Sequence, residues 1–185
     1  MLKELKKNLS YLKKDKNIFD IVVYGSSVKG KNHPNDIDIA VIFIEGSLSQ
    51  RLEKLQEIKK NIKLDKIIDI KSILLEELFK PEFFGRYGIF LEGISIFDEK
   101  PFSFRIGFEG FSIFLYNFKN KSHNEKVKFN YVLSGRNNIG IIKLLNGEHL
   151  APGVIKIPIR NSLEFEEVLN KHNIDYIKKN TLIQK

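Results

Sequence analysis

Cysteine is absent from the 185 residues. Its absence excludes disulfide staples, thiolate-held zinc, iron–sulfur clusters and thiol nucleophiles. Long apolar runs are absent as well. The longest, Ile39–Ile44, falls far short of the ~20 residues that span a bilayer. Residues 1–17 (MLKELKKNLSYLKKDKN) never stay apolar long enough to form the core of a secretory signal. A soluble, cytoplasmic protein with no membrane partner is therefore expected. Internal repeats and low-complexity tracts are missing too. The four histidines (His33, His123, His149 and His172) are too scattered for any pair to show metal-ligand spacing.

What is present is a globular composition. Hydrophobic residues make up 42% and charged residues 29% of the chain, enough apolar surface for a buried core. The net charge of +8 is unevenly spread. Residues 1–102 hold 18 Lys and Arg against 16 Asp and Glu, whereas residues 103–185 hold 13 against 7. The second part is the better contact surface for a polyanion, although a Lys-rich face can serve solubility alone.

Hydrophobic periodicity divides the chain into alternating elements. Leu2, Leu5, Leu9 and Leu12 predict a helix over 1–16. Ile18–Tyr24 and Asp36–Ile44 predict two strands, the second apolar on both faces after Asp38. Between them, GSSVKGKNHPN reads as a loop. Leu48, Leu52, Leu55, Ile58 and Ile62 predict a helix capped by Ser47 or Ser49. Lys66–Lys71 (KIIDIK) predicts a third strand, 72–79 a helix, and Ile94–Phe97 a fourth strand. This alternation predicts an α/β domain with a mixed sheet over 1–101. A composition shift at Asp98–Pro101 marks a boundary, after which a smaller, basic α/β module of 102–185 is expected. There, Phe104, Phe108, Phe111, Phe114 and Phe118 fall at helical spacing and predict a packing helix. Helices over 122–133 (Ser122 cap, Glu125 capping box) and 162–172, and strands over 154–158, 174–177 and 181–183, complete the reading.

The segment Val22–Val41 carries the chemistry. Asp36 and Asp38 stand two apart on a predicted strand and so share a face. Two carboxylates ~4 Å apart repel by about 4 kcal/mol at an effective dielectric of ~20, so a proton or a cation must offset them. A hard divalent ion such as Mg²⁺ suits carboxylate oxygens together with substrate phosphates. Gly25-Ser26 directly follows the preceding strand. A glycine there lets backbone approach a phosphate, and Ser26, Ser27 and Lys29 can supply hydroxyls, backbone N–H groups and a positive charge. Each part alone is common; a lone Asp-x-Asp is more often a solvated strand end.

In the order strand, Gly25-Ser26, nine-residue loop, Asp36-Ile-Asp38, apolar strand, the arrangement resembles the signature of the DNA polymerase β-like nucleotidyltransferase superfamily. It is closest in style to the minimal, stand-alone members. The resemblance covers about residues 18–97. It implies a third carboxylate on a later strand, for which Asp69 in KIIDIK is the candidate and Asp65, before the apolar run, the rival. It further implies nucleotide contacts from Gly25, Ser26, Ser27 and Lys29. Two Mg²⁺ ions (or Mn²⁺) would be held by Asp36, Asp38 and Asp69, and an NMP would pass from an NTP such as ATP to a hydroxyl. The loop's positive charge is lysine where many members carry arginine, which changes how phosphate is gripped. The second part resembles the tail of uncharacterised archaeal members and brings no function with it. Lys126, Lys128, Arg136 and Lys143, with Phe129 and Tyr131 between them, are candidates for nucleic-acid contact. The competing reading makes the two rings core residues and the cations a solvated face. Three functions stay open at this level: transfer to a nucleic acid such as RNA, transfer to a protein hydroxyl as in antitoxin-like members, and non-catalytic nucleic-acid binding.

Overall fold

A computed structural model describes residues 1–28 and 36–185. The chain divides into two compact units, Met1–Phe108 and Glu109–Lys185.

The first unit is built on a four-stranded mixed sheet in the order β3-β2-β1-β4. Its strands are β1 (Ile18–Tyr24), β2 (Asp36–Phe43), β3 (Ile67–Leu74) and β4 (Ile94–Ser95). β2 is antiparallel to β1 and parallel to β3. The β2–β3 crossover is made by helix α2 (Leu48–Asn61). Ser47 caps it, accepting from the Gln50 N–H while the Gln50 side chain returns to the Ser47 N–H. β1 and β2 are apolar on both faces because both faces are covered. Ile21, Val23, Ile37, Ile39, Val41 and Phe43 pack with Leu5 and Leu9 of α1 (Leu2–Leu9), Leu12, and Leu55 and Ile58 of α2. On the other face, Val22, Tyr24, Ala40, Ile42 and Ile73 meet Leu78, Ile89 and Phe102. The cover on that second face stops short of the first residues of β2, where Asp36 is exposed and Asp38 half-buried.

The second unit carries the sheet order β6-β7-β5-β8. Its elements run β5 (Phe108–Tyr116), α4 (His123–Ser134), α5 (Ile141–Leu144), β6 (Glu148–Ala151), β7 (Val154–Pro158), α6 (Ser162–Lys171) and β8 (Tyr176–Gln184). β7 pairs antiparallel with both β5 and β6. Apart from the short α5, this is a β-α-β-β-α-β succession with split crossovers. Phe114, Ile155 and Ile157 bury one sheet face against Phe129, Leu133, Phe165 and Leu169.

Several elements differ from the sequence expectation, each for a physical reason. The phenylalanine-rich stretch is not one helix. Phe102–Arg105 forms a single turn, α3, and Phe108–Tyr116 is a strand. Gly107, at φ +84°, ends the turn. Beyond it, Ser112, Phe114 and Tyr116 are buried while Phe111, Ile113 and Leu115 face outward, a period of two. Residues 72–74, expected to be helical, extend β3 because Val41, Ile42 and Phe43 offer them parallel pairing. The two short terminal strands are one strand, β8. Among the described residues, no helix is long and apolar enough to cross a membrane.

Candidate active site

The mixed sheet gathers the acidic residues through register. In the β2–β3 pairing Asp38 lies opposite Asp69, with Asp36 two residues upstream on the same face. In the β1–β2 pairing Asp38 also lies opposite Tyr24, the last residue of β1. Tyr24, Asp38 and Asp69 therefore form one row across three strands. Asp65 lies in the bend that precedes β3 and has no place in that row.

Immediately after Tyr24 the chain turns through Gly25–Val28, a single 3₁₀ turn. Gly25 adopts φ +75°, and a β-carbon at this position would collide with the Asp38 carboxylate. Glycine is thus required twice, by its backbone conformation and by the acid beside it. Ser26 and Ser27 are half-buried. The Ser27 hydroxyl donates to the Tyr24 carbonyl at 3.1 Å, which braces the turn and leaves its oxygen able to accept. Lys29, also expected to touch nucleotide, lies outside the described residues, as does His33.

The electrostatics follow from this crowding. Burial raises the Asp38 carboxyl above its ordinary pKa, repulsion from Asp36 and Asp69 adds to the rise, and Lys71 opposes it. Burial likewise pushes the Tyr24 hydroxyl up. Lys71 stands two residues after Asp69 and so shares its face. Its ammonium pairs with the Asp69 carboxylate at 3.2 Å. Asp69 is turned toward that ammonium, and among the described residues no three acidic or histidine side chains close on a common centre. The donor chemistry nevertheless suits a hard divalent ion: carboxylates from two adjacent strands in register, and beside them a cradle that a β-carbon at Gly25 would fill. Asp69 is half-exposed on its strand.

The segment 85–92 closes over the same end of β1, and Gly88 approaches the Tyr24 ring. Arg86 of this segment donates to the Lys80 carbonyl at 3.0 Å. Of the basic candidates in the second unit, Lys126 and Lys128 lie on α4, Arg136 just beyond it and Lys143 on α5. Phe129 is a core residue, whereas Tyr131 is exposed with the Arg136 guanidinium 5.1 Å from its ring centre. The structure thus divides the two aromatics between the two readings.

Sequence reasoning missed Lys71 and Tyr24. Lys71 was within reach of a period-two count from Asp69, whereas Tyr24 joins the row only through the β1–β2 register.

A model of the polymerase beta nucleotidyltransferase family matches residues 6–101, just over half of the chain and all four strands of the mixed sheet. No curated protein matches the chain.

Proposed function

The chain belongs to the polymerase beta nucleotidyltransferase family, and from that premise we propose that it transfers an NMP from an NTP, ATP in the first instance, to a hydroxyl on a nucleic acid such as RNA. The observation that carries this reading is the register that sets Asp38 opposite Asp69, beside a glycine that only a missing β-carbon accommodates. Asp36, Asp38 and Asp69 are the residues that would hold Mg²⁺ or Mn²⁺. Two such ions supply charge stabilisation on the attacking and leaving oxygens.

The chain's own groups divide the remaining work. The turn Gly25–Val28 presents backbone N–H groups and the Ser26 hydroxyl to the triphosphate. Asp69, the acid on the outermost strand of the sheet, orients the acceptor hydroxyl. That hydroxyl oxygen forms the new bond to the α-phosphorus as the bond to pyrophosphate breaks, and its proton leaves to a carboxylate or to water. The excess of Lys and Arg in residues 103–185, including Lys126, Lys128, Arg136 and Lys143, favours a polyanionic acceptor.

Incubation with each α-labelled NTP, Mg²⁺, total RNA and a cell lysate tests the proposal. Label in RNA supports it. Label in a protein band moves the acceptor to a protein hydroxyl. Label in neither, together with retention of RNA, reduces the chain to a binding module.

A further inference from the structure

Among the described residues, Lys71 is a cation that stands beside both Asp69 and Tyr24. Its ammonium lies 3.2 Å from the Asp69 carboxylate on β3, and it lowers the pKa of the Tyr24 hydroxyl on β1, against the rise that burial causes. β2 runs between those two strands. A side chain rooted on β3 that meets Tyr24 must therefore cross β2. The residue opposite Lys71 on β2 is Ala40, whose methyl group leaves room for the lysine stem, and the next residue outward on that face is Asp38. The ammonium is thus held at the Asp69 end of the carboxylate row. Lys71 also lowers the charge repulsion felt by Asp38.

We propose that Lys71 is a resident counter-ion that holds the carboxylate row closed to a bare divalent cation, by taking Asp69 and occupying the space over β2. This inference rests on the metal-dependent reading above. The Lys71–Asp69 pair suits a displaceable plug because both side chains are about half exposed, 52% and 50%. An ion pair so exposed adds little net stability and is readily exchanged. A divalent ion entering the row must expel the ammonium or bind beside a like charge, and either course weakens binding of the ion alone. Loading then favours a cation that arrives with a triphosphate, whose negative oxygens can take the ammonium that Asp69 gives up.

The measurement is binding of Mn²⁺ alone to the full chain, followed by the electron paramagnetic resonance signal of the free ion. The unaltered protein is compared with Lys71→Met and Lys71→Arg. The proposal expects Lys71→Met to bind Mn²⁺ on the order of tenfold more tightly, and Lys71→Arg to stay within about twofold of the unaltered protein. Lys71→Gln repeats the comparison in case the methionine variant aggregates. Equal or weaker binding in Lys71→Met and Lys71→Gln overturns the inference while leaving the metal-dependent reading in place. No binding of Mn²⁺ alone by any of the proteins, the variants included, also overturns the inference; the metal-dependent reading falls only if Mn²⁺ together with ATP fails to bind as well.

Discussion

The two ends of β1 hold two aspartate neighbourhoods of opposite character. At its start, Asp20 is fully buried. Its Oδ1 accepts from the Ser95 hydroxyl at 2.8 Å and the Ile21 N–H at 2.7 Å, while Oδ2 accepts no hydrogen bond and has the Arg105 Nε 3.3 Å away. Arg105 reaches on to Asp98 and to the Phe19 carbonyl, so the cluster ties β4 and α3 to β1. Just past the other end, Asp36, Asp38 and Asp69 crowd one face with Lys71 as the cation paired to them. A fully buried carboxylate held by a hydroxyl, an N–H and a guanidinium of its own fold ties elements together, even though burial makes its charged form costly. Carboxylates that crowd one another beside a half-exposed lysine suit an external charge. Burial and partner supply together separate the structural acid from those proposed to be functional.

The strongest test of that contrast is Asp38→Asn. Transfer activity is expected to fall about a thousandfold or more, as a loss of several kcal/mol of charge stabilisation implies. The melting temperature should hold or rise slightly, because a repelled carboxylate is removed. Retained transfer in this variant breaks the assignment; a collapsed melting temperature breaks the contrast.

The mirror experiment is Asp20→Ala. Removing one partner of a buried, hydrogen-bonded charge cluster should cost about 2–4 kcal/mol in urea unfolding, with activity per folded molecule unchanged. An inactive but equally stable protein would reverse the roles given to the two ends of the strand.

The pH dependence sharpens the same comparison. Burial raises the Asp20 carboxyl from 3.8 to about 6. Between those values the folded protein keeps a proton that the unfolded chain releases. The contribution of this group to stability is therefore lost as pH rises through that window, by up to about 3 kcal/mol. Asp20→Asn removes this slope. Its stability relative to the unaltered protein should improve from pH 4 to pH 7, measured by urea unfolding at both values. A difference that does not vary with pH contradicts the assignment.

The smallest expected effect is the control. Asp65→Asn, in the bend before β3, should leave both transfer and melting temperature unchanged within error, surface substitutions being typically within ~0.5 kcal/mol. A strong loss of activity would move the third carboxylate from Asp69 to Asp65.

The strands that position the site were legible because their signal is local. Ile18–Tyr24 and Asp36–Ile44 are apolar runs bounded by turn residues, and the Asp36–Asp38 spacing places both acids on one face of any strand. The phenylalanine-rich stretch shows where that kind of signal runs out. Its rings fall at positions that suit a helix, yet Gly107 at φ +84° separates a short turn from a strand. Pairing with β7 then selects which rings are buried. Residues 148–151 (EHLA) show no apolar alternation and all four are exposed, so only the ladder with β7 identifies β6 as a strand.

Residue order alone determined that a glycine follows the first strand, that two acids share a face of the second, and that the later segments are basic. Those are properties of neighbours along a chain, fixed by covalent spacing and side-chain period. Only the tertiary structure decided that Asp69 rather than Asp65 lies opposite Asp38, that the Gly25 turn abuts the Asp38 carboxylate, and that Lys71 reaches across β2 toward Tyr24. These are relations between strands, set by the register of a parallel crossover through α2, and no spacing within one strand encodes them.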